Sequence, residues 1–431
     1  MSSGDLVAIS GFIALFAMMA LRVPIGIAMG IVGVGGFAAI AGWRPALNLL
    51  AQSPLRTVTD FNLTLIPFFI LMGVLATNSG ISREMFRTGQ AWLGPFRGGM
   101  ALSTIAACGG FAAICGSSVA TAATMTKIAL PEMRRIGYSD RIATGTIAAG
   151  GTLGILIPPS VVLAIYAYMT EQDVGRLFIA GIVPGLLAIV MYMVAVRVAY
   201  AKSLPEGSRF VFSEALASLR GIWAIVLLFV AIIGSMYLGL VTATEAAAAG
   251  SVLTALIGIV RGRLDTAKIL DSLIEALRTS VAIYTVLIGA ILFGYFLAIT
   301  QSPQKITALL VGLDLGAYGT LAVILGLFLV LGCILDAMAM IILLVPIVYP
   351  VVMLLGFDPI WFGIIVVMTV ELGLITPPVG MNVFVINSIA RDVSLVTIFR
   401  GVLPFVLTDI VRLIILVVFP AIVLFLPMTM K

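Results

Sequence analysis

Residues 153–159 read Leu-Gly-Ile-Leu-Ile-Pro-Pro, and residues 372–378 read Leu-Gly-Leu-Ile-Thr-Pro-Pro. The two stretches are separated by 219 positions (372 − 153), and each lies in a long apolar run. Proline lacks a backbone N–H and clashes with the preceding helical turn, so each Pro-Pro pair ends a helix. The stretches therefore predict two broken helices at equivalent places in a duplicated chain.

The repeat extends well beyond these two stretches. Glycine, proline and aspartate positions recur at the same separation over more than forty residues without a gap: Pro131 and Pro350, Gly137 and Gly356, Asp173 and Asp392. The later match of Gly181 to Gly401 is at 220, so one residue is inserted there. A match that falls on the residues that interrupt helices indicates a true internal repeat.

The composition assigns the chain to the membrane. Of its 431 residues, 62% are hydrophobic and 10% are charged, whereas soluble domains average about 45–50% and about 25%. This excludes a soluble enzyme, a nucleic-acid binder and a disordered protein. The absence of histidine excludes His-ligated metals and Ser–His triads. Long apolar runs predict helices rather than a β-barrel, and the three cysteines are interpreted as small buried hydrophobes.

Hydropathy and interruptions predict three kinds of element. Continuous spans are expected at 6–21, 24–42, 63–78, 176–200, 222–237, 241–259, 281–299 and 401–426. Amphipathic arms along the membrane surface are expected at 81–96 and 266–280, re-entrant hairpins at 98–131 and 316–350, and broken helices at 139–169 and 359–389. An alternative without hairpins would make each hairpin a pair of crossings and place Gly116-Ser117-Ser118 in a loop.

Positive charges orient this arrangement. Eighteen of the 24 Lys and Arg residues fall on one side, Arg412 lies within a span, and five fall on the other side: Arg44, Arg56, Arg176, Lys305 and Lys431. The richer side should be the cytoplasm, so both termini are expected outside. Five crossings precede the second half, which is therefore inverted relative to the first. The net charge of +5 then reflects topology and not an acidic partner such as a nucleic acid.

Inverted repeats with paired broken helices are typical of secondary transporters. Half-helix N-termini attract anions, while exposed carbonyl and hydroxyl oxygens suit Na⁺. Asp336 occupies the position in the second hairpin tip that Ser117 occupies in the first, and an intramembrane acid is a functional candidate unless it only caps a helix. Ser160 and Asn382 follow the breaks and could face the cavity. The polar contacts expected near the substrate are Ser117, Ser118, Ser160 and Asp336.

Several runs carry a family resemblance over essentially the whole chain. They are 116–118 (Gly-Ser-Ser), 151–160 (Gly-Thr-Leu-Gly-Ile-Leu-Ile-Pro-Pro-Ser), 66–73 (Ile-Pro-Phe-Phe-Ile-Leu-Met-Gly), 178–185 (Phe-Ile-Ala-Gly-Ile-Val-Pro-Gly) and 374–380 (Leu-Ile-Thr-Pro-Pro-Val-Gly). The chain resembles the large membrane subunit of a TRAP (tripartite ATP-independent periplasmic) transporter of the dicarboxylate type. Ala243 departs from the family pattern, in which we expect proline there, and this change bears on a helix start.

The resemblance implies an all-α polytopic membrane protein of the elevator type, which imports an organic acid on a Na⁺ gradient and is not an enzyme. The implied partners are a small four-helix membrane subunit, expected here as a separate polypeptide, and a periplasmic substrate-binding protein. The implied location is the bacterial inner membrane. The Na⁺ sites are expected at the hairpin tips and broken helices, which carries over to Ser117, Ser118, Gly151, Gly154, Asp336, Gly373 and Thr376.

These inferences divide the chain into a scaffold and a transport domain. Residues 1–97, 176–315 and 391–431 are expected to form the scaffold and its arms, and residues 98–175 and 316–390 the two halves of the transport domain. Three alternatives stay open. They are an autonomous sodium/divalent-anion symporter, an ion channel and a membrane-embedded enzyme. The enzyme is disfavoured because the sequence shows no cluster of intramembrane carboxylates.

Overall fold

The computed structural model describes residues 3–430, and the regular structure of that part of the chain is helical without a strand. Lys431, which counts in the charge distribution above, lies outside the described residues. Eight helical segments within residues 3–430 are long and apolar enough to cross a membrane. The prediction of an all-α polytopic membrane protein is therefore confirmed.

The described part of the first half, residues 3–199, contains ten α-helices in the order that the sequence predicts, with one addition. They are α1 (Ser3–Ala20), α2 (Ile25–Ala41), α3 (Trp43–Thr59), α4 (Leu65–Asn78), α5 (Ile81–Leu93), α6 (Gly99–Cys115), α7 (Ser118–Arg135), α8 (Asp140–Leu156), α9 (Val161–Thr170) and α10 (Val174–Ala199). The addition is α3, an amphipathic helix for which no element was predicted.

The second half repeats this order. Its helices are α11 (Phe212–Phe229), α12 (Ser235–Tyr237), α13 (Ala243–Val260), α14 (Thr266–Ile299), α15 (Ser302–Gly312), α16 (Gly316–Gly332), α17 (Ala337–Leu354), α18 (Pro359–Ile375), α19 (Met381–Ile389), α20 (Leu395–Val418) and α21 (Ala421–Thr429). A π-helical turn (Val230–Gly234) joins α11 to α12.

Four elements differ from the prediction. The span predicted at 222–237 begins earlier, at Phe212. The arm predicted at 266–280 and the span after it form one helix, α14, because neither glycine nor proline interrupts residues 266–288. The terminal span predicted at 401–426 starts earlier and is divided at Pro420 into α20 and α21. The short helix α15 precedes the second hairpin and was not predicted.

Helix α13 begins at Ala243, where the family pattern led us to expect proline. Thr242 caps this helix, and its hydroxyl accepts a hydrogen bond from the backbone N–H of Glu245. The Glu245 carboxylate accepts one in return from the backbone N–H of Thr242 at 2.8 Å. Such a reciprocal capping box satisfies two helix-end donors, so the helix starts at this position without the proline.

The helices form two packed groups. In one group α2 packs closely on α14, where a Cβ atom at Gly33 would lie 2.6 Å from the backbone of Leu292, and α4 packs against α13 and α14. In the other group the hairpins surround the broken helices, and α10 and α20 pack against the same broken helices. A Cβ atom at Gly145 of α8 would overlap the carbonyl oxygen of Gly401 in α20. The site lies between the two groups.

Candidate functional site

A cavity of about 590 Å³ lies where both hairpin tips meet the two broken helices. Its other wall is formed by α4 and α14. Ser117, Ser118 and Asp336 all line it, so the structure brings together three of the four side chains predicted to lie near the substrate.

The first hairpin turns at Gly116 and Ser117. Gly116 has a φ of +63°, a left-handed conformation that glycine adopts without strain. A Cβ atom there would lie 2.7 Å from the carbonyl oxygen of Pro159, so the tip contacts the first break directly. Ser117 caps α7, and its hydroxyl accepts a hydrogen bond from the N–H of Ala120 at 3.3 Å. The predicted tip is therefore a real reversal at the break and not an exposed loop.

The glycines of the first broken helix permit this contact. A Cβ atom at Gly154 would lie 2.5 Å from the carbonyl oxygen of Ser117, and one at Gly151 would lie 2.9 Å from the side chain of Ala122. Because a methyl group cannot fit at Gly154, the approach of the tip backbone depends on glycine there. Both glycines are buried beneath the first hairpin.

The second hairpin makes the corresponding contacts. Asp336 caps α17, and its carboxylate accepts hydrogen bonds from the N–H groups of Met338 at 2.9 Å and Ala339 at 3.1 Å. The N–H of Gly380, in the second break, donates to the carbonyl oxygen of Cys333 at 3.3 Å. Asp336 thus caps a helix and also lines the cavity, so the two interpretations of this residue are compatible.

Four helix N-termini converge on the cavity. Its wall includes first-turn residues of α7, α17, α9 and α19, for example Val119, Met338, Val162 and Met381. Each helix N-terminus carries a partial positive charge, so the arrangement favours an anion, although Ser117, Ser160 and Asp336 already accept from some of the first-turn N–H groups. The cavity is therefore suited to a carboxylate, although two of its lining side chains, Asp336 and Glu275, are acidic.

The opposite helix ends also reach the cavity. Ile155 and Leu374, near the C-terminal ends of α8 and α18, also line the cavity. Asn382 is fully buried beside Gly151, and its Oδ1 atom has no hydrogen-bond partner in the described part of the chain. Carbonyl, hydroxyl and amide oxygens at unwound helix breaks are the donors that Na⁺ takes in transporters, so this donor set fits a sodium ion.

Two predicted residues use their hydroxyl groups locally. Ser160 is fully buried and does not line the cavity. Its hydroxyl donates to the carbonyl oxygen of Ile155 and accepts from the N–H of Leu163, so it stabilises the break and caps α9. The Thr376 hydroxyl donates to the carbonyl oxygen of Leu372 in the same way. Ser160 was predicted near the substrate and Thr376 at a Na⁺ site, and each hydroxyl hydrogen-bonds to the backbone beside its own break.

Sequence reasoning missed Lys127 and Glu275. Lys127 lies on the stripe of α7 that faces the cavity, together with Val119, Ala123 and Thr124, while Glu275 faces it from α14. The signal was available, since these residues are spaced at three or four positions and share one helix face. This signal was overlooked because Lys127 was considered only as one of the positive charges that orient the chain in the membrane.

A second cavity of about 840 Å³ lies at the other end of α4 and α14. It is lined by Asp60, Glu171, Gln172 and Asp173 among others. The Tyr168 hydroxyl of α9 donates to the carboxylate of Asp60 at 3.2 Å and so connects the two helix groups. The two cavities occupy opposite ends of the boundary between these groups.

Residues 12–422 match the family described as the tripartite ATP-independent periplasmic transporter, DctM component. The chain is 39% identical over 399 residues to the C4-dicarboxylate TRAP transporter large permease protein DctM of Pseudomonas aeruginosa, covering 92% of this chain and 93% of that protein. It is 32% identical over 386 residues to the sialic acid TRAP transporter large permease protein SiaM of Vibrio cholerae, covering 88% and 90%.

Among solved structures, the Alcanivorax borkumensis YdaH transporter has a similar fold. The TM-score is 0.64 at 15% identity, over 89% of this chain and 90% of that one. The relatives are named as transporter permeases, in agreement with the prediction of a transporter subunit and not an enzyme. The chain belongs to the DctM family, the large membrane components of tripartite ATP-independent periplasmic transporters.

Proposed function

We propose that this chain carries an organic acid across the bacterial inner membrane and that a Na⁺ gradient drives this uptake. The substrate class is a carboxylate such as a C4-dicarboxylate or a sialic acid. It would be delivered by a periplasmic binding protein to a complex of this chain with a small membrane subunit. The names of the relatives, which include C4-dicarboxylate and sialic acid permeases, support this substrate class.

The convergence of four helix N-termini on one cavity supports the anionic substrate most strongly. Ser117, Ser118 and Asp336 lie at the tips that begin two of these helices. The residues that would hold Na⁺ are Ser117, Ser118, Gly151 and Gly154 in the first half, and Asp336, Gly373 and Thr376 in the second. Bound Na⁺ would place positive charge beside the substrate carboxylate. Because Asp336 is itself negatively charged, substrate binding at this tip would depend on the bound cation.

The two cavities support an elevator mechanism. In the orientation given by the positive charges, the cavity with Asp336 and Lys127 opens toward the cytoplasm, and the cavity with Asp60 opens outward. The hairpins and broken helices would move as a unit along α4 and α14 between the two. The packing of α10 and α20 on the broken helices favours their movement with this unit, although the sequence placed them in the scaffold.

The main alternative is an autonomous sodium/divalent-anion symporter, which would need no binding protein. Both possibilities use the same cavity, so the partner requirement separates them. An ion channel is disfavoured because each hairpin tip contacts a broken helix directly, as at Gly116 and Pro159, and so closes the path.

The test is reconstitution in proteoliposomes with the small subunit and the binding protein that accompany this chain. Uptake of labelled succinate and of sialic acid would be measured with an inward Na⁺ gradient, with equal Na⁺ on both sides, and with K⁺ instead. The proposal expects accumulation of one carboxylate only with the Na⁺ gradient, and loss of uptake without the binding protein. Uptake by this chain alone would support the symporter, and uptake independent of Na⁺ would overturn the coupling.

A further inference from the structure

A buried ionic network lies outside the cavity. The Arg412 guanidinium of α20 contacts the carboxylate of Glu371 in α18 at 3.0 Å and that of Asp409 in its own helix at 2.9 Å. The Tyr192 hydroxyl of α10 donates to both carboxylate oxygens of Asp409, at 2.9 and 2.7 Å. The Thr152 hydroxyl of α8 lies 3.2 Å from the Tyr192 hydroxyl. Each of these five side chains is at most 2% exposed.

Asp409 and Arg412 lie three residues apart on α20, a spacing at which opposite charges on one helix face pair. Glu371 reaches the same guanidinium from α18. The sequence could not show that Tyr192 and Thr152 extend this pair into the first half of the chain. One network therefore joins four helices, α8, α10, α18 and α20.

The network lies across the internal repeat. Thr152 and Glu371 are 219 positions apart, and Tyr192 and Arg412 are 220 apart, which are the separations of the repeat at these two places. Each half therefore contributes an equivalent pair, Thr152 with Tyr192 and Glu371 with Arg412. Asp409 joins the two pairs, because it accepts from Tyr192 of the first half and from Arg412 of the second.

The network contacts both broken helices directly behind the proposed ion sites. Thr152 lies between Gly151 and Gly154, and Glu371 lies two residues before Gly373. A Cβ atom at Gly154 would meet the backbone of the first hairpin tip, and one at Gly373 would lie 2.7 Å from the backbone of Gly332 in the second hairpin. A shift of either broken helix would thus reach the hairpin that it supports.

A contribution to folding stability does not by itself explain such a network. A buried ion pair is seldom more stable than a well-packed apolar cluster of the same size. This one is also incompletely satisfied, since Arg412 Nε and Nη1 and Glu371 Oε1 have no hydrogen-bond partner in the described part of the chain. Two carboxylates also share one guanidinium. Directional polar contacts between helices do, however, fix their relative position.

We propose that Glu371, Asp409, Arg412 and Tyr192 are positioning residues that hold the two broken helices in a fixed relation, so that Na⁺ binding at one hairpin tip favours Na⁺ binding at the other. This inference rests on the proposed Na⁺ coupling. Cation binding that orders one broken helix is transmitted through Asp409 to the other half, because both halves share this carboxylate. The coupling is reciprocal, as linkage between two sites requires.

Two substitutions test the network while preserving its shape. Glu371→Gln keeps the side-chain size and leaves Arg412 paired with Asp409, and Tyr192→Phe removes only the hydroxyl. Tyr166→Phe is the matched control, because Tyr166 is also fully buried and its hydroxyl donates across helices to the carbonyl oxygen of Pro359 at 2.7 Å. That bond also joins the two broken helices, α9 to α18, but it lies outside the network and far along both helices from Gly154 and Gly373. The control therefore separates the effect of the network from a general loss of contact between these helices. If Glu371→Gln does not fold, Tyr192→Phe decides the question.

The readout is Na⁺-driven uptake by the reconstituted complex, titrated with Na⁺ and corrected for the amount of folded protein. We expect the wild type to have a Hill coefficient above 1. In the two network variants we expect it to fall toward 1, and Na⁺ half-saturation to rise about fivefold or more, the usual scale of coupling between sites. Tyr166→Phe should retain the wild-type values.

The contrary outcomes are distinct. Folded network variants with the wild-type Hill coefficient and half-saturation would overturn the inference, as would an equal change in Tyr166→Phe. A wild type that depends on Na⁺ with a Hill coefficient of 1 would also overturn it while leaving the proposed function intact. A wild type without Na⁺ dependence would overturn the proposed function and this inference with it.

Discussion

Replacing Asp336 by asparagine separates the two tasks of this residue, capping α17 and facing the cavity. Asparagine and aspartate are about equally good N-cap residues, so the hydrogen bonds to Met338 and Ala339 can be kept. The variant should fold with wild-type stability. What it loses is the negative charge at the second hairpin tip.

The expected loss follows from the value of a charged partner. An interaction with a charged group contributes about 1.5–3 kcal/mol, which corresponds to roughly 10- to 150-fold in affinity. We therefore expect Asp336→Asn to raise Na⁺ half-saturation by about that factor, while the maximal rate at saturating Na⁺ falls less. The assay is a Na⁺ titration of uptake in proteoliposomes that contain the complete complex.

Asp358 provides a matched control. Its carboxylate caps α18 by accepting from the N–H groups of Ile360 and Trp361, both at 2.9 Å, but it does not line the cavity. Asp358→Asn should leave Na⁺ half-saturation unchanged. The reasoning is refuted if Asp336→Asn retains the wild-type Na⁺ dependence, or if the two variants lose it equally.

Three further changes probe the same site. Gly154→Ala should abolish transport because its methyl group would lie 2.5 Å from the carbonyl oxygen of Ser117. Gly326→Ala in α16, where the added methyl group has open space, should keep uptake. Equal uptake by the two variants would contradict the packing argument. Lys127→Gln should raise the substrate KM about tenfold, since it removes a charged partner worth about 1.5 kcal/mol, and an unchanged KM in uptake kinetics would exclude this role. Tyr168→Phe removes a hydrogen bond of about 1 kcal/mol between the two helix groups. The ratio of outward-open to inward-open complexes, measured by thiol labelling, should therefore rise about fivefold.

The repeat made much of the fold predictable. Both Pro-Pro breaks and the helical reversals at Gly116 and Asp336 were placed correctly, because proline ends a helix and glycine permits a left-handed turn. The continuous helix α14 was not foreseen. Its amphipathic first part and apolar second part look like separate elements in the sequence, but without a helix breaker between them the helix continues.

The site was predictable in part. Ser117, Ser118 and Asp336 were found because polar residues in apolar runs are conspicuous, and the structure places all three at one cavity. Ser160 was assigned to the cavity because it follows a break, yet its hydroxyl caps α9. The partners of Glu371 could not be deduced either, because sequence spacing does not reveal which helices of the two halves lie side by side. Local capping explains the position of the Ser160 hydroxyl, and tertiary packing determines the partners of Glu371.

Alternating access to the cavity is the most direct test of a carrier. Thr124 lines the cavity on α7 and is not among the proposed ligands, so Thr124→Cys in a chain without Cys108, Cys115 and Cys333 reports its exposure. Membrane-impermeant thiol reagents would be applied from each side, with and without Na⁺ and substrate. We predict labelling from either side in turn, with Na⁺ and substrate changing the preferred side. Labelling from one side only, or from both sides equally under every condition, would contradict the account.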